Sequence, residues 1–141
     1  MRSILLVLGQ FGCIAVLLFG GSWLLPWWAW CFFALGWVIF FWALFSLGTG
    51  NFTIMPEPRA GSSLSQRGIY RWLRHPMYTT VLICGGALSF GAPSMARWIA
   101  LAIVMVVLLI KIRHEEARLT ERYPDYPVRM EGVARLCPFI W

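Results

Sequence analysis

From residue 3 to residue 48 the chain contains no Asp, Glu, Lys, Arg or His, and no other feature limits its fold so tightly. A membrane-spanning helix needs about 20 mostly apolar residues, because 1.5 Å of rise per residue must cross roughly 30 Å of hydrocarbon. Residues 3–25 supply one such run, closed by Pro26. Residues 27–48 supply a second, opening on Trp27, Trp28 and Trp30, an aromatic cluster suited to a headgroup interface. Two further apolar runs lie at 76–92, which stops at Pro93, and at 95–112. Both are short for a bilayer, so tilt or snorkelling is expected, with Arg97 and Lys111 close enough to the ends of their run to reach water. The first run is too long for the apolar stretch of a signal peptide, roughly 7–15 residues, and no small-x-small cleavage site follows it, so it reads as a retained helix.

The sequence therefore predicts an all-α integral membrane bundle of about four transmembrane helices, forming one domain over residues 1–141. A cytoplasmic loop is expected at 49–75, and a cytoplasmic helical cap, carrying cofactor-binding residues, at 113–141. Composition excludes the alternatives. Charged residues make up 13% of the chain against the usual share of roughly 25%, and 60% of residues are hydrophobic. Twelve basic and six acidic side chains are too few to clothe a soluble domain of this size. The four cysteines show no CxxC spacing; Cys13, Cys31 and Cys84 lie in apolar runs and read as small buried hydrophobes, and no metal site is expected.

The basic residues set the orientation. Arg59, Arg67, Arg71 and Arg74 fall between the second and third runs. Lys111, Arg113, Arg118, Arg122, Arg129 and Arg135 follow the fourth. With Arg2, eleven of twelve share one side and Arg97 alone falls on the other, so the positive-inside rule puts both termini in the cytoplasm. The basic residues carry no nucleic-acid motif, and no nucleic-acid partner is expected. Ala29, Gly36 and Ala43 recur every seven residues, a small-residue stripe for close helix contact that also permits a homodimer.

Polar chemistry concentrates in two pieces on the basic side. In the first, Pro56, Pro58, Gly61, Ser62 and Ser63 mark an irregular loop, and residues 66–74 form a short interfacial helix carrying Tyr70, Trp72 and Arg71. His75 precedes Pro76, so His75 is biased out of helical geometry and Pro76 opens the next helix. Arg74, His75 and Tyr78 then stand at a helix N-terminus, where the dipole favours an anion. In the second piece Glu115 and Glu116 are about 100° apart around a helix. Glu115 can pair with Arg118, leaving Glu116 to a pocket, or the roles are exchanged. Pro124 and Pro127 break that helix between Tyr123 and Tyr126, and the apolar end from Cys137 on tucks against the membrane or the bundle.

At these residues the chain resembles the isoprenylcysteine carboxyl methyltransferases and their bacterial relatives, which share a superfamily with phospholipid N-methyltransferases and membrane sterol reductases. The resemblance rests on Gly68, Tyr70, Arg71, Arg74, His75, Pro76 and Tyr78, and on Glu115, Glu116, Leu119, Tyr123, Tyr126, Val133, Arg135 and Pro138, over about two thirds of the chain. Arg129 and Gly132 depart from the pattern on the presumed acceptor side.

The resemblance implies an S-adenosylmethionine-dependent methyltransferase in a bacterial inner membrane. The cofactor arrives from the cytosol, and a lipophilic small-molecule or prenylated acceptor arrives from the bilayer among the membrane lipids. It implies cofactor binding by Tyr70, Arg71, Arg74, His75, Tyr78, Glu115, Glu116 and Tyr126, with Glu116, Arg135 and Arg74 catalytic. Arg74 or His75 would hold the methionine carboxylate, Glu116 the ribose, and Tyr78 the adenine. Arg135 would orient an acceptor carboxylate, which needs no base; a thiol or amine acceptor would need His75 or Glu116 as one. Rival readings are a reductase, opposed by the lack of a GxGxxG fingerprint, a small four-helix exporter, and a non-catalytic scaffold of the same fold.

Overall fold

The computed structural model describes residues 2–47 and 67–137. The expected loop residues Pro56, Pro58, Arg59, Gly61, Ser62 and Ser63, and Pro138 with the apolar end after it, lie outside the described residues. The elements are α1 (Arg2–Phe19), α2 (Trp27–Leu47), a single 3-10 turn (Gly68–Arg71), α3 (Pro76–Gly91), α4 (Met95–Arg122) and α5 (Tyr126–Arg129). Among the described residues there is no strand; Leu73 and Ala134 form one isolated parallel bridge.

Two helices, Trp27–Leu47 and Met95–Arg122, are long and apolar enough to cross a membrane, and Ile4–Phe19 is apolar but shorter. The outer surface matches a lipid surrounding: Phe19, Leu24, Trp27 and Phe45 are all more than three-quarters exposed, an exposure of large apolar groups that a soluble monomer does not carry.

α2 and α3 run antiparallel, with Gly91 against Ala29 and Gly36 against Cys84, and so do α1 and α4. Ser94, at the start of α4, donates through its hydroxyl to the carbonyl of Gly20 just past the end of α1 (2.7 Å), and Lys111, one residue from the end of α4's apolar part, meets Gln10 of α1 (2.6 Å). The core joins Leu17 of α1, Leu88 of α3, and Ala100, Leu101, Val104 and Leu108 of α4. A smaller cluster joins Ala43 of α2 to Ile69 and Leu73 beneath it.

Several boundaries differ from those the sequence predicts. α1 ends at Phe19, not near residue 25, because Gly20 and Gly21 follow and the freed carbonyls are taken up from α4. Arg97 donates from Nε to Leu17 (2.9 Å) and from Nη1 to Ser22 (2.8 Å) and Ala92 (2.9 Å). The carboxyl ends of α1 and α3 thus converge on one guanidinium, each offering its negative pole. Snorkelling is overturned for the two basic residues expected to do it: Arg97 is 0% exposed and Lys111 1%. Carbonyls inside the bundle take up the Arg97 guanidinium, whereas Lys111 finds Gln10 there.

The interfacial helix expected at 66–74 is only the 3-10 turn. Gly68 at φ +56° starts it, and a Cβ there would strike Ser46 of α2. Pro127 does not break a helix but occupies the first turn of α5, where its missing N–H has no role. Cys31 is exposed, since it lies about 200° around α2 from the buried Ala29; Cys13 and Cys84 are half-buried.

All three stripe residues are buried, Ala29 and Gly36 against α3 and Ala43 against Ile69 and Leu73. A Cβ on Gly36 would strike Cys84 Sγ, and one on Gly91 would lie 2.6 Å from the Ala29 Cβ. The stripe is consumed within the chain, so a homodimer would need another face.

Candidate functional site

The charged end of the bundle is assembled by tying the C-terminal segment to the start of α3. Backbone N–H groups of Arg74 and His75 donate to the carbonyls of Ala134 (2.8 Å) and Arg135 (3.1 Å). The Thr79 hydroxyl donates to Leu136 O (2.6 Å). Arg74 adds three side-chain bonds, from Nε to Val133 O (2.9 Å), from Nη2 to Met130 O (2.6 Å) and from Nη1 to Glu116 Oε1 (3.2 Å). Only a planar fork can reach two carbonyls and a carboxylate at once. His75 has φ −126° and ψ 59°, outside the helical region as its place before Pro76 requires, and its carbonyl accepts the first N–H bonds of α3.

α4 carries both carboxylates out of the apolar region, which ends at Ile112. One position apart, they do different things. Glu116 is 15% exposed in its side chain, and besides Arg74 it accepts from Arg135 Nε at both oxygens, 3.2 and 3.0 Å. His75 Nε2 stands 3.6 Å from Glu116 Oε1, outside hydrogen-bond reach, and is buried without a hydrogen-bond partner among the described residues. Burial alone would raise the Glu116 pKa; the neighbouring His75, Arg135 and Arg74 outweigh it and bring it down to about 2.

Glu115 instead faces His75 and Tyr78. Its Oε2 accepts from the Tyr78 hydroxyl (3.1 Å) and lies 3.6 Å from His75 Nδ1. The Tyr78 ring stacks on His75, with centroids 5.4 Å apart and planes 8° from parallel. Burial, then the Glu115 charge, pushes the Tyr70 hydroxyl up to about 12.

These side chains line a cavity of about 120 Å³, formed by Leu47, Tyr70, Arg74, His75, Pro76, Met77, Tyr78 and Glu115. Of the residues expected to bind a cofactor, Tyr70, Arg74, His75, Tyr78 and Glu115 meet here. Glu116 and Tyr126 do not line it. Glu116 belongs to the arginine cluster beside it, and Tyr126 is buried with its hydroxyl pushed up to about 12, by burial first and then by the Glu116 charge. Arg71 is exposed at the end of the 3-10 turn, away from the cavity. Of the two assignments the sequence leaves open, the structure shows Glu115 facing the cavity and Glu116 the arginine clamp.

Two aromatic rings, a carboxylate, an imidazole and a guanidinium suit a ligand with a flat heterocycle, hydroxyls and its own charges. S-adenosylmethionine has all three. The cavity among the described residues admits a part of such a molecule, since sites for ligands of that size run to roughly 300 Å³ or more. Leu47, the last described residue before 48–66, stands at its rim.

Sequence reasoning missed three residues. Thr79 docks the tail, and its hydroxyl is not distinctive in an apolar run. Lys111 and Gln10 meet behind Tyr78, with Lys111 Nζ lying over the Tyr78 ring at 5.1 Å from its centroid. The available signal was Gln10 itself, the sole amide side chain between residues 3 and 48. A sequence model of a family described as phospholipid methyltransferase matches residues 24–126, which takes in the cavity and α2 to α4 but not α1. Searches of curated proteins and of solved structures returned no match.

Proposed function

Because the chain belongs to the phospholipid methyltransferase family, within the isoprenylcysteine carboxyl methyltransferase-like group, we propose that it transfers a methyl group from S-adenosylmethionine to a lipophilic acceptor, a carboxylate of isoprenylcysteine type, at the cytoplasmic membrane face. The observation that carries this reading is the convergence of Tyr70, Arg74, His75, Tyr78 and Glu115 on one cavity where the apolar bundle gives way to its charged end. The antiparallel order of the four long helices and their apolar outer faces support four spans in a bacterial inner membrane, with the arginine-rich end cytoplasmic.

When bound, the cofactor supplies a methyl group made electrophilic by a sulfonium. The protein's share is holding and desolvation. Tyr70 and Tyr78 offer flat walls to the adenine. Glu115, on the cavity wall, takes the role of acceptor for ribose hydroxyls that the resemblance implies for Glu116. Arg74 spends three N–H donors on the tail and Glu116, and its remaining donors suit the methionine carboxylate. Arg135, at 38% the more exposed of the two arginines on Glu116, orients the acceptor carboxylate. A carboxyl held near 2 is a weak proton acceptor at neutral pH, so Glu116 fits a positioning role and leaves His75 as the base for any thiol or amine acceptor.

Calorimetric titration of the detergent-purified protein with S-adenosylhomocysteine tests the reading. Saturable binding that weakens about tenfold in Glu115→Ala, the loss of one charge-assisted hydrogen-bond acceptor, is expected. Absence of binding by folded wild-type protein would sink the enzyme reading and leave a non-catalytic scaffold. A panel of carboxylate, thiol and amine acceptors with hydrocarbon tails, assayed by methyl transfer, then separates the acceptor classes.

A further inference from the structure

α4 buries two cations, and only one of them is explained by the fold. Arg97 satisfies all but Nη2 of its guanidinium on carbonyls at the ends of α1 and α3, so it is a helix cap made from the neighbouring helix. Lys111 is equally buried and has far less. Its ammonium has three donors, one of which reaches Gln10 Oε1 at 2.6 Å, and it also lies over the face of the Tyr78 ring, with the Glu115 charge one helical turn on. Among the described residues no carboxylate lies within ion-pair distance. Replacing such a group by an apolar side chain of similar volume is often neutral or stabilising, so the bundle gains little from this ammonium. What the ammonium touches is the cavity wall: Tyr78 stacks on His75 and donates to Glu115.

We propose that Lys111, held by Gln10 of α1, is a positioning residue for the cofactor cavity, fixing the Tyr78 ring and through it Glu115 and His75. A desolvated ammonium over an aromatic face is the strongest form of that contact, and it acts on ring orientation directly. Gln10 lies outside residues 24–126, so α1 joins the site through one amide even though the family match does not include it. This inference rests on the cofactor reading above.

The test uses the full chain in detergent, with two readouts, S-adenosylhomocysteine affinity by calorimetry and melting temperature. Lys111→Met, and the double variant Lys111→Met/Gln10→Leu that replaces both partners by apolar groups, are expected to melt at or above the wild-type temperature yet bind about tenfold more weakly. Gln10→Glu, which keeps an acceptor for the ammonium, is expected to bind close to wild type. Wild-type affinity in both Lys111→Met and the double variant would overturn the proposal, and so would a loss of binding that appears only alongside a lowered melting temperature. If the folded wild type itself does not bind, the cofactor reading fails and this inference falls with it; binding by the wild type separates the two failures.

Discussion

Glu115 and Glu116 show how much a single position decides at the scale of one residue. About 100° of helix separates them, enough to put one on the cavity with Tyr78 and the other between Arg74 and Arg135. The sequence made both visible as polar groups just past an apolar run, but helical phase alone could not assign them, because the partner of Glu116 arrives from a tail segment 19 residues on. The assignment has a pH signature. In the unfolded chain a glutamate titrates near 4.3, and in the fold the Glu116 carboxyl is depressed to about 2. A depressed carboxyl adds stability above the unfolded value and loses it as pH falls through the folded one. Melting temperature should therefore be level, as far as this group is concerned, from pH 8 to about 5, and fall between about 4.3 and 2. Glu116→Gln should remove that acid-side slope and lower stability at neutral pH by on the order of 2 kcal/mol, since two arginines lose an ionised partner. Thermal melts of wild type and variant across this range check both parts, and an unchanged acid slope in the variant would contradict the assignment.

Elements were legible where one physical rule governs them and obscure where two compete. α2 is apolar throughout, and its helix begins at Trp27 where Pro26 allows it. α1 was misjudged because hydropathy continues through residues 22–25, whereas Gly20 and Gly21 end the helix and Ser94 and Arg97 receive its carbonyls. No pattern within α1 announces an acceptor site for side chains 74 or more residues away. The seven-residue stripe on α2 was readable as a close-packing face but not as to partner, which for Ala29 and Gly36 is α3. Here Gly36 leaves room for Cys84, so adding one methyl forces the helices apart. Gly36→Ala should destabilise by about 1–3 kcal/mol, the usual cost of overpacking. Cys84→Ala should cost less alone and recover much of the loss in the double variant, because the clash is with Sγ. The coupling is read from a double-mutant cycle in denaturant melts; simple additivity would mean that the seam does not pack as described.

At the scale of the whole molecule the charge distribution and the fold point the same way. Antiparallel packing brings the ends of α1 and α3 to the start of α4, and it gathers Arg74, His75, Glu115, Glu116 and Arg135 at the opposite end. Under the proposed function the positive-inside rule would turn that gathering to the cytoplasm, giving a water-soluble cofactor access while the acceptor's hydrocarbon stays in the bilayer. α4 links the two ends: its 28 residues extend roughly 42 Å at 1.5 Å per residue, longer than the hydrocarbon core, with the charged last turns outside it. Met95 is exposed at one end of α4 and Ala117 at the other, so a thiol at each reports its side of the membrane. With the native cysteines changed to alanine, Met95→Cys should react with a membrane-impermeant maleimide on intact cells, and Ala117→Cys only after permeabilisation. The reverse pattern would put the cavity on the outer face, beyond reach of cytosolic cofactor. Equal labelling of both on intact cells would mean that α4 does not cross, and the four-span arrangement would fail with it.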